Sequence, residues 1–341
     1  MSMHYPFPEL PAPGQLSEVA PGVFWLRMPL PFQLDHINLW LLRDGAGWAI
    51  VDTGFANDES RAAWTDILAR LDGPVTRLIV THFHPDHLGL ATWLQEKTGA
   101  ALWMTTGEFL TAHAVWNEVG GHGTRFMTEQ FRLHGLAGER LEKFAVRGPG
   151  YRKSMPGLPD FYHRLKADDT LTVDGKTWQI LIGHGHSPEH MALYCEELAV
   201  LISGDMLLPR ISTNISVFAS TPEADSLGWF LASLQEMASD LPPETLVLPS
   251  HGLPFTGIQP RVEALREHHE ARCRELEESC RLTAKSAAEL LGTLFPRELD
   301  MHQTMFAMGE AIAHLNYLEQ AGRLSRSIDA DGVVRYTRSQ S

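Results

Sequence analysis

Apolar residues follow two rhythms along the chain. Short apolar runs bounded by glycine, proline or acidic residues occupy 19–28, 36–42, 48–51, 78–80 and 101–104, and again 170–173, 177–182, 191–194, 198–202 and 245–248. Runs this short, rich in Val, Ile, Leu and Trp, predict buried strands. Between them, 58–71 carries Trp64, Ile67, Leu68 and Leu71 at helical spacing, and 88–99 carries Leu88, Ala91 and Leu94 ahead of Gly99. The stretch 222–237 carries Leu227, Phe230, Leu231 and Leu234 after Thr221-Pro222. These predict helices, with Pro222 as a start and Gly99 as a stop. Gly45 and Gly47 bracket one hairpin turn and Asp174-Gly175 makes another.

Two stretches break these rhythms. Residues 106–146 have helical periodicity through Phe109, Leu110, Ala114, Phe126, Phe131 and Leu133, yet contain Gly120, Gly121, Gly123 and Gly135. Residues 147–160 then read as a long irregular loop, and loops beyond about 12 residues within a compact domain are usually functional or disordered. His113, His122, His134 and His163 lie in this region and read as structural or exposed. The last quarter is helical: a charged helix over 260–280, another over 283–291 and a third over 301–320 before Gly322. His268 and His269 sit among charges and read as a solvated face. Residues 323–335 alternate through Asp331-Gly332 as a two-stranded hairpin.

Composition narrows the class only a little. In 341 residues, 44% hydrophobic and 21% charged, the chain resembles an ordinary globular protein with room for one large domain and a small one. No apolar run is long enough to span a membrane. The first 15 residues carry four prolines and neither a basic start nor an apolar core, so they predict an extended arm and a cytoplasmic location. Cys195, Cys273 and Cys280 are an odd count that fits reduced, core-packed thiols. A formal charge of −14 disfavours broad binding to a phosphate backbone.

The chemistry concentrates in Thr81-His82-Phe83-His84-Pro85-Asp86-His87-Leu88-Gly89, between a predicted strand and a predicted helix. His82 and His84 are two apart, so an extended backbone aims both rings to one side. Pro85 turns the chain, and Asp86 and His87 lie on the turn, aimed at a neighbouring point. One segment thus offers two ligand pairs, of types that suit Zn, Fe or Mn.

His82-x-His84-x-Asp86-His87 resembles the signature of the metallo-β-lactamase superfamily. Gly185-His186-Ser187-Pro188, Ser203-Gly204-Asp205 and Ser250-His251-Gly252 each follow a predicted strand, in the order of that family's remaining motifs. The resemblance implies a first metal on His82, His84 and His186, a second on Asp86, His87 and His251, and Asp205 bridging them. His184, two residues before His186, is a rival for its place. Asp52, in Asp52-Thr53-Gly54, matches a supporting aspartate outside the ligand set, and His190 would also lie outside it.

The same resemblance implies an α/β fold with an αββα four-layer sandwich. It divides the chain into a catalytic domain over 1–258, with a substrate-pocket insert at 105–165, and a C-terminal domain over 259–341. Helix, helix, helix and hairpin in that last part resemble a winged-helix module, which one branch of the superfamily, including an endoribonuclease, carries. Residues 301–320 hold no lysine or arginine, so nucleic acid is not the expected partner, and the module reads as a scaffold for packing, for the pocket or for a homodimer.

The implied cofactors are two divalent metal ions, Zn first and Fe or Mn next. The implied reaction is hydrolysis by a hydroxide held between them, with Asp86 orienting it. The apolar, aromatic insert favours a small-molecule ester or thioester. Endoribonuclease or phosphodiesterase activity and a non-catalytic metal-binding protein are the alternatives. Tyr151, Arg210, Asn214 and Ser216 are the candidate substrate contacts.

Overall fold

A computed structural model describes residues 2–146, 148 and 150–339. β1 (Leu16–Ala20), β2 (Val23–Pro29), β3 (His36–Asp44) and β4 (Gly47–Val51) form an antiparallel meander. After α1 (Asp58–Arg70), β5 (Val75–Ile79) joins β4 in parallel. Then α2 (Pro85–Leu88) and α3 (Ala91–Thr98) lead to β6 (Ala101–Thr105), parallel to β5. Four helices follow, α4 (Thr106–Asn117), α5 (Thr124–Leu133), α6 (Gly138–Val146) and α7 (Gly150–Ser154). They precede β7 (His163–Leu165), which completes a seven-stranded sheet in chain order.

The second sheet has five strands. β8 (Thr170–Val173), β9 (Lys176–Gly183), β10 (His190–Cys195) and β11 (Val200–Gly204) are antiparallel neighbours. After α8 (Ser226–Asp240), β12 (Leu246–Pro249) lies parallel to β11. The chain ends with α9 (Ile258–Ser279), α10 (Ala287–Leu294), α11 (Met301–Gln320) and the antiparallel pair β13 (Leu324–Ile328) and β14 (Val334–Arg338).

Strand alternation explains the layering. In β3, Trp40 and Leu42 face one way and Leu39 and Leu41 the other. The first pair joins Trp25, Val51 and Ile79 in a buried cluster with Trp178, Ile180, Met191, Leu193, Ile202 and Leu248 of the second sheet. The second pair joins Leu26, Ile50 and Leu78 against Trp64 and Ile67 of α1 and Leu94 of α3. Ser233 of α8 accepts the amide N–H of His184, just past β9, and Leu234 and Met237 are buried, so a helix backs the second sheet. The architecture is α/β with two sheets face to face and helices outside them.

The elements differ from the sequence pattern in a few places. The run 19–28 is a hairpin, because Gly22 takes a left-handed φ of 77° between β1 and β2. Residues 150–154, expected to be irregular, form a helical turn, and β7 is a strand that its polar sequence hid. Arg147 and Pro149 of that expected loop lie outside the described residues. His269 is buried rather than solvated. With Leu265, Cys273 and Leu276 it forms one face of α9, repeating every three or four residues, and the flanking charges occupy the other face. All three cysteines are free and buried.

The chain resolves into two compact units. The first comprises Met1–His113, Tyr151–Thr213 and Ser233–Val262 and holds both large sheets; the second comprises Ala114–Gly150, Asn214–Ala232 and Glu263–Ser341. The two units interleave along the chain, where a single boundary at 258 would separate consecutive pieces. No helix among the described residues is long and apolar enough to cross a membrane.

Within the second unit, α11 carries a buried polar cluster. His314 Nδ1 bonds the carbonyl of Glu310, and its Nε2 lies 3.1 Å from His269 Nδ1. Burial pushes the Glu310 carboxyl up to about 7, while Arg272 and a hydrogen bond from Asn214 oppose the shift. Burial also pushes the His314 ring down to about 4, against the bond to the Glu310 carbonyl and with His268 and Arg272 adding to the shift. A carboxyl whose pKa is raised by folding keeps its full stabilising share below the unfolded value near 4.5 and loses it as pH rises through about 7. Glu310→Gln is therefore expected to change stability little at pH 4.5 and to stabilise the protein at pH 8. Urea unfolding at the two pH values checks this, and equal effects at both would contradict it.

Candidate active site

Five turns at the ends of strands converge at one edge of the facing sheets. β4 leads into Asp52, β5 leads into residues 80–84, β9 and β10 are joined by residues 184–189, β11 ends before Asp205 and β12 before His251. The chain must reverse sharply at each, and two positions show how. Asp52 takes a left-handed φ of 62°, which aspartate tolerates better than most residues, and so turns its carboxylate back toward residue 81. Gly204 has a φ of 53°, and a Cβ there would overlap the ring of His190.

The predicted metal-binding residues meet in two groups: His82, His84, His186 and Asp205 in one, and Asp86, His87 and His251 in the other. In the first, His82 Nε2 is 2.9 Å from His84 Nδ1 and 3.2 Å from His186 Nε2. Asp205 joins the groups: its Oδ2 is 3.4 Å from His186 Nε2, while its Oδ1 is 3.4 Å from His251 Nε2 and 3.5 Å from His87 Nε2. Asp86 Oδ2 is 3.5 Å from His251 and 3.7 Å from His87. His186 enters the cluster, whereas the neighbouring His184 is exposed and turns to the carbonyl of Pro188.

Supporting bonds fix ring tautomers and loop shape. The Asp52 carboxylate accepts from the Thr81 amide and hydroxyl and lies 2.7 Å from His87 Nδ1. His87 Nε2 is thereby left facing the cluster. His251 Nδ1 donates to the carbonyl of His36, with the same result. His190 Nε2 accepts the amide of Asp205, and its ring packs on His82 at 4.6 Å between centroids. Asn38, inside the first sheet, donates to the carbonyls of Pro249 and Gly252 and so holds the His251 turn across the interface between the sheets.

Electrostatics within the cluster pull in opposite directions. Burial drives His82 well below its ordinary value and His84 down to about 3, so both rings are neutral donors of a lone pair. Burial also opposes charge on His251 and His87, but Asp205 and Asp86 raise His251 to about 10, and Asp52, Asp86 and Asp205 raise His87 well above the usual range. Burial would raise Asp86, yet His87 and His251 hold it at about 2; His251 and His87 likewise hold Asp205 well below the usual carboxylate range.

Two buried atoms decide what this arrangement suits. His87 Nε2 and Asp205 Oδ1 have no hydrogen-bond partner, although they lie 3.5 Å apart. Buried polar atoms that converge on one point without bonding one another fit divalent cations, and imidazole with carboxylate is a donor set for Zn, Fe or Mn.

The candidate substrate residues go to different places. The Tyr151 hydroxyl donates to the carbonyl of Phe83 at 2.5 Å. Arg210 is exposed, its guanidinium 5.8 Å from the centre of the Tyr5 ring. Asn214 and Ser216 belong to the second unit, where Ser216 Oγ donates to Asn214 Oδ1. Sequence reasoning missed Thr81, Asn38 and Glu108. Asn38, a lone amide in an otherwise apolar strand, was a usable signal. Glu108, the one carboxylate in the otherwise uncharged α4, was likewise a usable signal, although its partners are set by tertiary contact.

A family model described as Metallo-beta-lactamase superfamily matches residues 33–251, and one described as Metallo-beta-lactamase-like, C-terminal domain matches 273–339. The chain belongs to the metallo-β-lactamase superfamily, a family of hydrolases. A β-lactamase domain protein of known crystal structure from Burkholderia ambifaria is 47% identical, with a TM-score of 0.92 over 99% of this chain and 98% of that one. Probable metallo-hydrolase YqjP of Bacillus subtilis is 23% identical over 313 residues, 87% of this chain and 92% of that protein. Hydroxyacylglutathione hydrolase of Pseudomonas putida is 26% identical over 262 residues, 75% of this chain and 77% of that protein.

Removing the Asp52 carboxylate strands several buried donors at once. Asp52→Ala is expected to cost a few kcal/mol of stability, at about 1–3 for each buried donor left unpaired. Asp52→Asn, which keeps one acceptor oxygen, should lose less. Urea unfolding of the metal-free variants checks the order.

Proposed function

We propose that the protein is a dinuclear metallo-hydrolase acting on a small acyl substrate, a thioester or ester. The observation that carries this reading is the Asp205 carboxylate, which turns one oxygen to the His186 group and the other to the His87 and His251 group. His82, His84 and His186 would hold one divalent metal, and Asp86, His87 and His251 the other, with Asp205 shared. When bound, the metals supply Lewis acidity, which lowers the pKa of water and polarises a carbonyl.

The remaining work falls to the chain. Asp86 is held ionised, so it can orient water through an acceptor oxygen. His82 and His84 stay neutral and ready to coordinate, and Asp52 and the His36 carbonyl keep His87 and His251 turned inward. No cysteine or serine nucleophile is required.

The acyl preference is supported by the relative named as a hydroxyacylglutathione hydrolase, since an acylglutathione is a thioester. Zn is the first choice of metal, Fe or Mn the next. In the same reading, residues 1–258 carry the chemistry, 105–165 shape the pocket, and 259–341 are a winged-helix-like scaffold. Its third helix, α11, offers no lysine or arginine to a phosphate backbone.

Elemental analysis of the purified protein should find two metals per chain, falling to about one in Asp86→Ala. His84→Ala should abolish turnover of a thioester panel and leave the urea midpoint near that of wild type. Cleavage of single-stranded RNA with no thioester turnover would replace the acyl reading with a phosphodiesterase one. A wild type that binds no Zn, Mn or Fe would remove the metallo-hydrolase reading itself.

A further inference from the structure

The loops carrying the three histidines of the first group come from distant parts of the chain, His82 and His186 being 104 positions apart. Glu108 of α4 lies between them and is fully buried. Its Oε2 accepts the amide N–H of Phe83, the residue between His82 and His84, at 3.0 Å. Its Oε1 accepts the hydroxyl of Ser187, next to His186, at 2.7 Å, and the amide N–H of Glu189 at 2.7 Å. The fastening is reciprocal: the Glu189 carboxylate accepts the amide N–H of Gly107, and the Glu189 carbonyl accepts the Thr105 hydroxyl. From the other side, Tyr151 donates to the carbonyl of Phe83, so both polar backbone atoms of that residue are held by side chains beyond the end of β5. Among the described residues no cationic side chain pairs with Glu108; it is held by O–H and N–H donors alone.

We propose that Glu108 is a positioning residue that locks the His82–His84 loop to the His186 loop, so that the three imidazoles are set at metal-binding distances before any ion arrives. This rests on the metallo-hydrolase reading for its function and on the three hydrogen bonds for its geometry. A carboxylate is required because all three partners are donors. Glutamine has nearly the same shape, but whichever way its amide is turned, its NH2 group faces a backbone N–H, and the contact to Phe83 or to Glu189 is lost.

The test uses the full-length chain, with Glu108→Gln alone and in the Asp86→Ala background, where the three-histidine group is read by itself. Ile180→Val, in the core between the sheets, is the control for ordinary destabilisation. Zn affinity is measured by competition with a chelator, and amide exchange is measured on the metal-free proteins.

In Glu108→Gln, Zn affinity of the three-histidine group should fall about 10–100-fold, the scale of effects for partners behind metal ligands. The amides of Phe83 and Glu189 should exchange faster, and neither change should appear in Ile180→Val. Zn affinity within twofold of the parent, or unchanged exchange at both amides, would overturn the proposal. A parent protein that binds no Zn would defeat the metallo-hydrolase reading instead, and the exchange arm would still decide the role of Glu108. If Glu108→Gln does not fold, Ser187→Ala removes one donor from the same carboxylate. Unaltered Zn affinity there would equally overturn the proposal.

Discussion

Seven imidazole and carboxylate side chains converge in two groups at one edge of the facing sheets, and His87 Nε2 and Asp205 Oδ1 among them are buried without a hydrogen-bond partner. That constraint governs the surrounding structure. In a medium of low dielectric, like charges repel strongly and an unpaired polar atom is costly, so such a cluster persists only if its members are held in place. Asp52 holds His87, the His36 carbonyl holds His251, His190 meets the Asp205 amide, and Asn38 ties the His251 turn to the opposite sheet. The two apolar layers anchor these holders. Trp25 lends its indole N–H to Asn38, and Trp64 lends its own to the carbonyl of Thr53.

The sequence exposes the part of this arrangement that depends on spacing. His82 and His84 alternate as strand residues do and Pro85 forces the turn, while His186, Asp205 and His251 were named by the superfamily resemblance, whose later motifs each follow an apolar run. The strands of both sheets were legible for the same reason, since burial on both faces leaves continuous apolar runs such as Leu39–Leu42. What was hidden depends on tertiary contact. β7 pairs with β6 through backbone bonds that its polar side chains do not advertise. His269 looked solvated beside His268, because a charged helix with one buried face reads as polar until its three-to-four repeat is counted. Glu108 stands out as the only carboxylate of α4, but nothing local says which loops it joins.

The family relationship and the pocket answer different questions. The superfamily fixes the fold and the class of chemistry, whereas the substrate is selected by residues outside the ligand set. In the proposed reading those residues would come from the segments with the least regular sequence, 105–165 and the stretch after Asp205. Here the same segments also do structural work. Tyr151 braces the Phe83 carbonyl, and the Thr213 hydroxyl donates to the carbonyl of Asp205. Residues that brace a ligand-bearing loop are not free to vary for substrate choice alone.

The first sheet is laid down in chain order, strand beside strand, and its first four strands pair over short loops. The ligand cluster is the opposite. Asn38 reaches a partner 214 positions away, and His251 reaches one 215 positions away. Local hairpins close quickly, while contacts of such separation must wait for large loops to be pinned. On a ribosome, the His82–His87 segment would emerge long before Asp205 and His251, exposing half a chelating site to solution. The cell's free metal would meet this chain first as a flexible four-ligand loop and only later as a cage.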